Sequence, residues 1–212
     1  VITGKITLPY TSYFYGAKGS KVKYATYVNT NDDIFFHDGD STNSFGFYDI
    51  IFENAGGFAI NISKTLNVEI EKCEIKNCGW SGLSLNTQAP STLTSLLGYD
   101  TDQTALQNFY ASSEVSEGGA ISLTESTMIR VIGNTISGNF RGIRVQDCGK
   151  NGAGFITRNV VSSNIESGIY LAAGLTNNGC ENITVTINAS VYNANNGILS
   201  VSGMNNKFSQ NE

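Results

Sequence analysis

The 212 residues carry 13 Lys+Arg against 18 Asp+Glu, a formal charge of −5, and the cations are scattered, which excludes a phosphate-tracking nucleic-acid binder. With 40% hydrophobic and only 15% charged residues the chain is not disordered and has material for one sizeable core, so a single compact domain is expected. No run approaches the roughly 18 apolar residues of a membrane span, so no membrane insertion is expected, and Val1 to Gly4 lack the basic and apolar regions of a signal peptide.

Residues 1–44 read as an N-terminal β or loop segment that could belong to a larger chain: Ile2-Thr3-Gly4-Lys5-Ile6-Thr7-Leu8 and then the aromatic Tyr10-Thr11-Ser12-Tyr13-Phe14-Tyr15. Asn31-Asp32-Asp33 and Asp38-Gly39-Asp40-Ser41-Thr42-Asn43 resemble a fragment of an oxygen-ligand calcium loop but lack its downstream Glu, so a polar turn is favoured. His37 is the only histidine, which excludes multi-histidine metal sites and any Ser-His-Asp triad without it; beside Phe35-Phe36 it reads as structural.

From residue 45 to 212 the chain repeats itself, and repetition decides the fold class. Ala59-Ile60-Asn61-Ile62-Ser63 and Ala120-Ile121-Ser122-Leu123-Thr124 match, each with an isoleucine 16 residues after its Ala, at Ile75 and Ile136. Gly82-Leu83-Ser84-Leu85, Gly142-Ile143-Arg144-Val145, Gly168-Ile169-Tyr170-Leu171 and Gly197-Ile198-Leu199-Ser200 follow the same pattern. Between them lie Asn134-Thr135-Ile136-Ser137-Gly138-Asn139 and Asn159-Val160-Val161-Ser162-Ser163-Asn164, and period-two runs such as Met128-Ile129-Arg130-Val131-Ile132. Each repeat thus holds about three short strands. The glycine steps of 25, 37, 23, 26 and 29 between residues 57 and 197 match coils that stack in parallel, about six of them. Inward stacks of Ile60, Leu83, Ile121, Ile143 and Ile169 are predicted, with Asn77, Asn139 and Asn164 repeating at one corner. Cys73, Cys78, Cys148 and Cys180 fit no zinc or CxxC spacing; they read as buried small hydrophobes, a disulfide remaining the alternative.

These N-x-I-x-x-N and G-I-x-V/L repeats resemble the right-handed parallel β-helix proteins of the pectate-lyase-like superfamily. The resemblance implies an all-β solenoid. Members include lyases, hydrolases, epimerases, adhesins and bacteriophage tailspikes, mostly extracellular or virion-borne and mostly handling polysaccharides. Residues 1–44 read as β or loop where members usually carry a short amphipathic capping helix, so missing flanking segments or a partner subunit are expected to cover the open coil ends, trimerisation as in tailspikes being one solution.

The step of 37 localises an inserted loop at about 86–118, rich in Ser and Thr and carrying Tyr99, Asp100, Asp102, Phe109, Tyr110, Glu114 and Glu117. It is expected to overhang the outward ladder Asn61, Ser84, Ser122, Arg144 and Tyr170, with Arg141 before the strand and Asp147 and Lys150 just after it. Ser122, Tyr170, Arg141, Tyr99 and Tyr110 are the candidate substrate contacts, since rings stack on pyranoses and guanidinium matches carboxylate. In a lyase, Arg144 would abstract the proton beside a uronate carboxyl and Asp147 or the loop acids would hold an acidifying calcium ion, a cofactor the pattern admits but does not imply. A hydrolase would pair Asp147 with Glu125, Glu166 or a loop acid, although none falls in an N-x-D or D-D motif. Glu69-Ile70-Glu71 and Lys72 belong to another sheet and read as a solvated face. The expected function is extracellular or virion-exposed glycan recognition of the tailspike or tail-fibre kind, with or without depolymerisation. A secreted lyase, hydrolase or epimerase acting on a uronate polymer, and a purely structural solenoid, are the alternatives.

Overall fold

The computed structural model describes residues 1–24, 32–79, 118–173 and 179–212. The described chain is all strand and turn, wound in successive coils. The first coil is β1 (Ile6–Thr7), β2 (Ser12–Tyr15) and β3 (Lys21–Lys23); the second is β4 (Phe35–Asp38), β5 (Ser44–Tyr48) and β6 (Ile51–Glu53). The third is β7 (Phe58–Ser63), β8 (Asn67–Glu71) and β9 (Glu74–Lys76); the fourth is β10 (Gly119–Thr124), β11 (Met128–Ile132) and β12 (Thr135–Ser137). The fifth is β13 (Ile143–Gln146), β14 (Gly154–Thr157) and β15 (Val160–Ser162). The sixth is β16 (Ile169–Ala172), β17 (Cys180–Glu181), β18 (Ile183–Thr186) and β19 (Ala189–Val191), and the last is β20 (Ile198–Ser200), β21 (Gly203–Met204) and β22 (Lys207–Ser209).

Every named strand pairs in parallel with its counterpart one coil away, giving a first sheet β1-β4-β7-β10-β13-β16-β20, a second β2-β5-β8-β11-β14-β18-β22 and a third β3-β6-β9-β12-β15-β19. The protein is therefore a parallel β-helix. Period two sends alternate side chains into the bore, so equivalent residues stack: Phe35, Ile60, Ile121, Ile143 and Ile169 in one inward row, and His37, Ile62, Leu123, Val145 and Leu171 in the next. Each fully buried aliphatic side chain contributes about 1.5–3 kcal/mol.

Three expectations are corrected. The first is the break at residue 44, because β1 to β4 are rungs of the same sheets and the described coils number seven in the first and second sheets, not six. The aromatic stretch that looks unlike the later repeats is the same coil filled with larger rings. The second is the rung at Leu83 and Ser84, because Ile60 pairs directly with Ile121 and Asn61 with Ser122. Gly82 to Leu85 lie outside the described residues, as do Tyr99 and Tyr110; the description stops at Gly79 and resumes at Gly118. A Cβ on Gly118 would lie 2.6 Å from the Gly79 Cα and 2.7 Å from the Gly57 oxygen, so only glycine lets the two stems meet on the coil beneath.

The third correction concerns Asn77, which occupies the left-handed position of its corner (φ 57°) while Cys78 takes the inward place beside it. At that corner the Cys78 amide donates to Asn139 Oδ1 (2.9 Å), and Asn139 Nδ2 and Asn164 Nδ2 each donate to the next rung, ending on Asn193 Oδ1. A parallel ladder five residues earlier runs from the Cys73 amide through Asn134, Asn159 and Asn188 to Asn211. All four cysteines are buried free thiols; burial pushes Cys73 and Cys78 up to about 12, so they are inert packing groups.

Candidate functional site

The outward positions of the first sheet form two ladders, Phe36, Asn61, Ser122, Arg144 and Tyr170, and beside it Asp38, Ser63, Thr124 and Gln146. Rungs of such a sheet repeat every 4.8 Å or so, about half the length of an extended disaccharide step, and present a periodic row of donors and acceptors. A cleft of about 390 Å³ opens over these ladders, with Asp33, Phe36, Asp38, Lys64, Glu125 and Arg144 among its lining. Gly57 and Gly118 close one side, so the stem of the excursion borders the cleft.

Asp33 precedes β4 and is buried against the next coil. Its Oδ1 accepts the Phe58 amide (2.7 Å) and its Oδ2 accepts Asn61 Nδ2 (2.9 Å). Burial raises its pKa above the ordinary carboxylate range, a shift that those two bonds and the Lys5 ammonium oppose but do not cancel. Asp38, at the other end of β4, is in the opposite state. Lys64 Nζ (3.0 Å) and Ser63 Oγ (2.8 Å) both donate to its Oδ1 and hold its pKa below the usual value. Phe36 stands between the two acids, with Lys5 Nζ 4.2 Å from its ring centroid. Glu125 lies exposed at the corner after β10, in a left-handed conformation (φ 49°). Arg144 donates to Gln146 Oε1 two residues along the same strand, which aims its guanidinium along the cleft floor.

No family model matches the chain, and no curated protein or solved structure matches it either.

The structure brings together only part of the candidate set. Ser122 and Arg144 line the cleft, and Tyr170 is the next rung beyond Arg144. Arg141 lies instead at the corner before β13, where its guanidinium pairs with Glu166 and sits over the Phe140 ring. Glu166 is engaged by that pair. Asp147 is buried at the following corner, where its Oδ1 accepts the Gly179 amide (3.0 Å), and it is not among the described residues lining the cleft. The Arg144 and Asp147 pairing is thus split between the cleft floor and a corner. The Asp38 to Asn43 segment is a polar turn, Asp40 Oδ1 accepting the Thr42 hydroxyl (2.6 Å), and the described residues contain no group of acids, cysteines or histidine arranged for a metal ion. Glu69 and Glu71 do face outward from the second sheet.

Asp33 and Asp38 were missed as site residues because residues 1–44 read as a separate segment, and with them Lys64, which joins the site through its pairing with Asp38. The signal that could have found them is Phe35-Phe36-His37-Asp38 itself, a four-residue match to Ile60-Asn61-Ile62-Ser63 in inward and outward positions.

Proposed function

We propose that the chain recognises a glycan along the outer face of its first sheet, as a receptor-binding β-helix of the tailspike or tail-fibre kind exposed outside the cell or on a virion. The observation that carries this reading is the cleft: Asn61, Ser63, Ser122, Thr124 and Arg144, with the Phe36 ring and Asp38, are anchored on strands at rung spacing, and Asp33, Lys64 and Glu125 stand at the strand ends around them. Sugars offer hydroxyl pairs that bond such groups and an apolar ring face that packs on an aromatic side chain. Sites on strands hold those groups more firmly than sites on loops. Three carboxylates, Asp33, Asp38 and Glu125, face two cations, Lys64 and Arg144, and Lys64 is already paired with Asp38. That balance favours a neutral glycan over a polyuronate.

The test is binding to immobilised dextran, galactomannan, xylan, lipopolysaccharide O-chains, polygalacturonate and alginate. Retention on a neutral polymer is expected, with Arg144→Ala and Asn61→Ala each weakening it about tenfold, or about 1.4 kcal/mol. Retention on none, or retention untouched by both substitutions, would rule the reading out.

A further inference from the structure

The second sheet has an outer face of its own, and in the first three coils it is built from rings and carboxylates. Outward from β2, β5 and β8 run two ladders, Tyr13, Gly46 and Glu69, and beside them Tyr15, Tyr48 and Glu71. Tyr15 stacks on Tyr48 with ring centroids 4.7 Å apart and planes inclined by 7°. Gly46 has no side chain to hold the rings off the sheet. A Cβ there would lie 2.5 Å from Tyr13 Cδ1 and 2.6 Å from Tyr48 Cε2, so both rings come down over it. The Tyr48 hydroxyl donates to Glu69 Oε2, and Asn67 Nδ2 donates to Glu69 Oε1 (3.0 Å). Glu71 is paired with Arg130 from the next coil. Tyr15 is nonetheless 73% exposed and Tyr13 45%, so apolar ring surface is left in water on a scaffold whose polar groups are already fixed.

The bonds within this face decide what it takes. A cation seeks unpaired carboxylate, yet Glu69 already holds two donors and Glu71 a guanidinium. A protein partner needs a continuous apolar patch, and here the rings give way after two rungs to carboxylates and an amide. What stays open is ring surface on the first rung and, on the third, one further lone pair on each Glu69 oxygen. A pyranose carries the complement, an apolar face of C–H groups and a rim of hydroxyl donors. We propose that the outer face of β2, β5 and β8 is a second glycan site, separate from the cleft, on which a neutral oligosaccharide lays one sugar on Tyr13 and Tyr15 and donates hydroxyls of the next to Glu69. Two rungs, about 9.6 Å, separate Tyr13 from Glu69, which is one disaccharide step. Those three strands carry no Lys or Arg, so a polyuronate would meet only like charge. Tyr48 and Asn67 are positioning residues, holding Tyr15 and Glu69. Sites on two sheets of one rigid coil let a single molecule grip two stretches of glycan, and the second contact then forms at high effective concentration.

The experiment starts from the double variant Asn61→Ala, Arg144→Ala, in which the cleft is disabled, and measures retention on immobilised dextran, galactomannan and xylan. Retention on at least one of them is expected, and adding Tyr13→Ala and Tyr15→Ala is expected to weaken it about tenfold or more. Tyr15→Phe, which keeps the ring, is expected to stay within about twofold of its background. Choline chloride, a quaternary ammonium probe, is expected not to displace the polymer. Both tyrosines are exposed, so the added substitutions are expected to leave the melting temperature unchanged; should the pair melt early, Tyr15→Ala alone carries the test. Retention that survives loss of both rings, that falls as far with Tyr15→Phe as with Tyr15→Ala, or that choline displaces would overturn the inference. Retention of the cleft-disabled variant on none of the polymers would overturn it too, and would leave the cleft reading to the parent's own retention. Retention lost with the tyrosines and untouched by Asn61→Ala and Arg144→Ala would support this site and overturn the cleft reading alone.

Discussion

The first two coils and the fourth to sixth solve the same problem with different chemistry. Around β2, β4, β5 and β6 the bore is filled by rings: Phe14 stacks on Phe47 with centroids 5.3 Å apart, Phe35 meets Phe47 at 5.2 Å, and Phe52 meets Phe35 edge-on at 5.9 Å. Around β12, β15 and β19 the inward corners carry asparagine, each amide bonding the next amide and the carbonyl of the coil before, as Asn159 does with Asn188 and Val131 (2.9 Å each). The strands are equally regular in both halves. What differs is how a corner is sealed: by apolar volume where the rings are wide enough to reach it, and by a hydrogen-bonded ladder where the core is only aliphatic. The candidate site straddles the change, since Asp33 and Asp38 ride on the aromatic coil while Ser122 and Arg144 ride on the coils that begin the ladders.

The comparison is broken most forcefully by Phe47→Ala. Its ring touches Phe14, Phe35 and Phe52, so truncation leaves a cavity that three rings line, and a loss of about 4 kcal/mol is expected by chemical denaturation. Because Phe35 lies in β4 between the two aspartates, the same variant is expected to lose glycan retention in parallel. A loss under about 1 kcal/mol would mean that the aromatic coil is not where this end of the solenoid is held together.

In the ladder half the matching substitution is Asn159→Ala. It strips the acceptor from the Asn134 amide and side chain and the donor from Val131 and Asn188, all in buried surroundings, and about 3 kcal/mol is expected to be lost. The partly exposed last rung, Asn211→Ala, is expected to cost about 1 kcal/mol, since solvent replaces its partners. Equal losses at the two positions would remove the argument that the rungs act as a buried network.

How much of this was legible in the sequence follows the same division. The later coils announce themselves because aliphatic repeats with Asn at fixed offsets are alike from coil to coil, and the pairing of Ile121 with Ile143 and Ser122 with Arg144 is the register their spacing predicts. The aromatic coils do not, because ring packing depends on neighbours in space and leaves no fixed motif. Glycine and asparagine were expected at the corners, yet Lys72, Arg158, Ile187 and Tyr192 hold left-handed conformations there, with φ between 54° and 58°. Nothing in their side chains favours that conformation; the strand pairs on either side impose it. The site was half legible for the same reason. Ser122, Arg144 and Tyr170 come from readable coils, whereas the pairing of Asp33 with Asn61 needs the second coil placed on the third.

The finest test lies where the two halves join, at Cys73. Its thiol stands in the place of a ladder asparagine, with Sγ 3.5 Å from the Phe47 carbonyl as the Asn134 amide stands 2.9 Å from the Ile70 carbonyl one coil later. The Ile50 amide meets the sulfur in the position where the Asn134 amide meets Asn159. The thiol is thus a weak version of the same rung, with a poor donor and a poor acceptor where the amide has good ones. Cys73→Asn extends the ladder by one coil, adding a bond to Phe47 and one from Ile50 at the expense of fitting a slightly larger group beneath the rings. Net intramolecular hydrogen bonds contribute about 1 kcal/mol each and overpacking subtracts about as much, so a shift within about 1 kcal/mol is expected, whereas Cys73→Leu, which carries no polar atom, leaves the Ile50 amide unsatisfied and is expected to cost about 2 kcal/mol. If leucine were tolerated and asparagine were not, the corner at Cys73 would belong to the aromatic half, and the ladder would begin at Asn134.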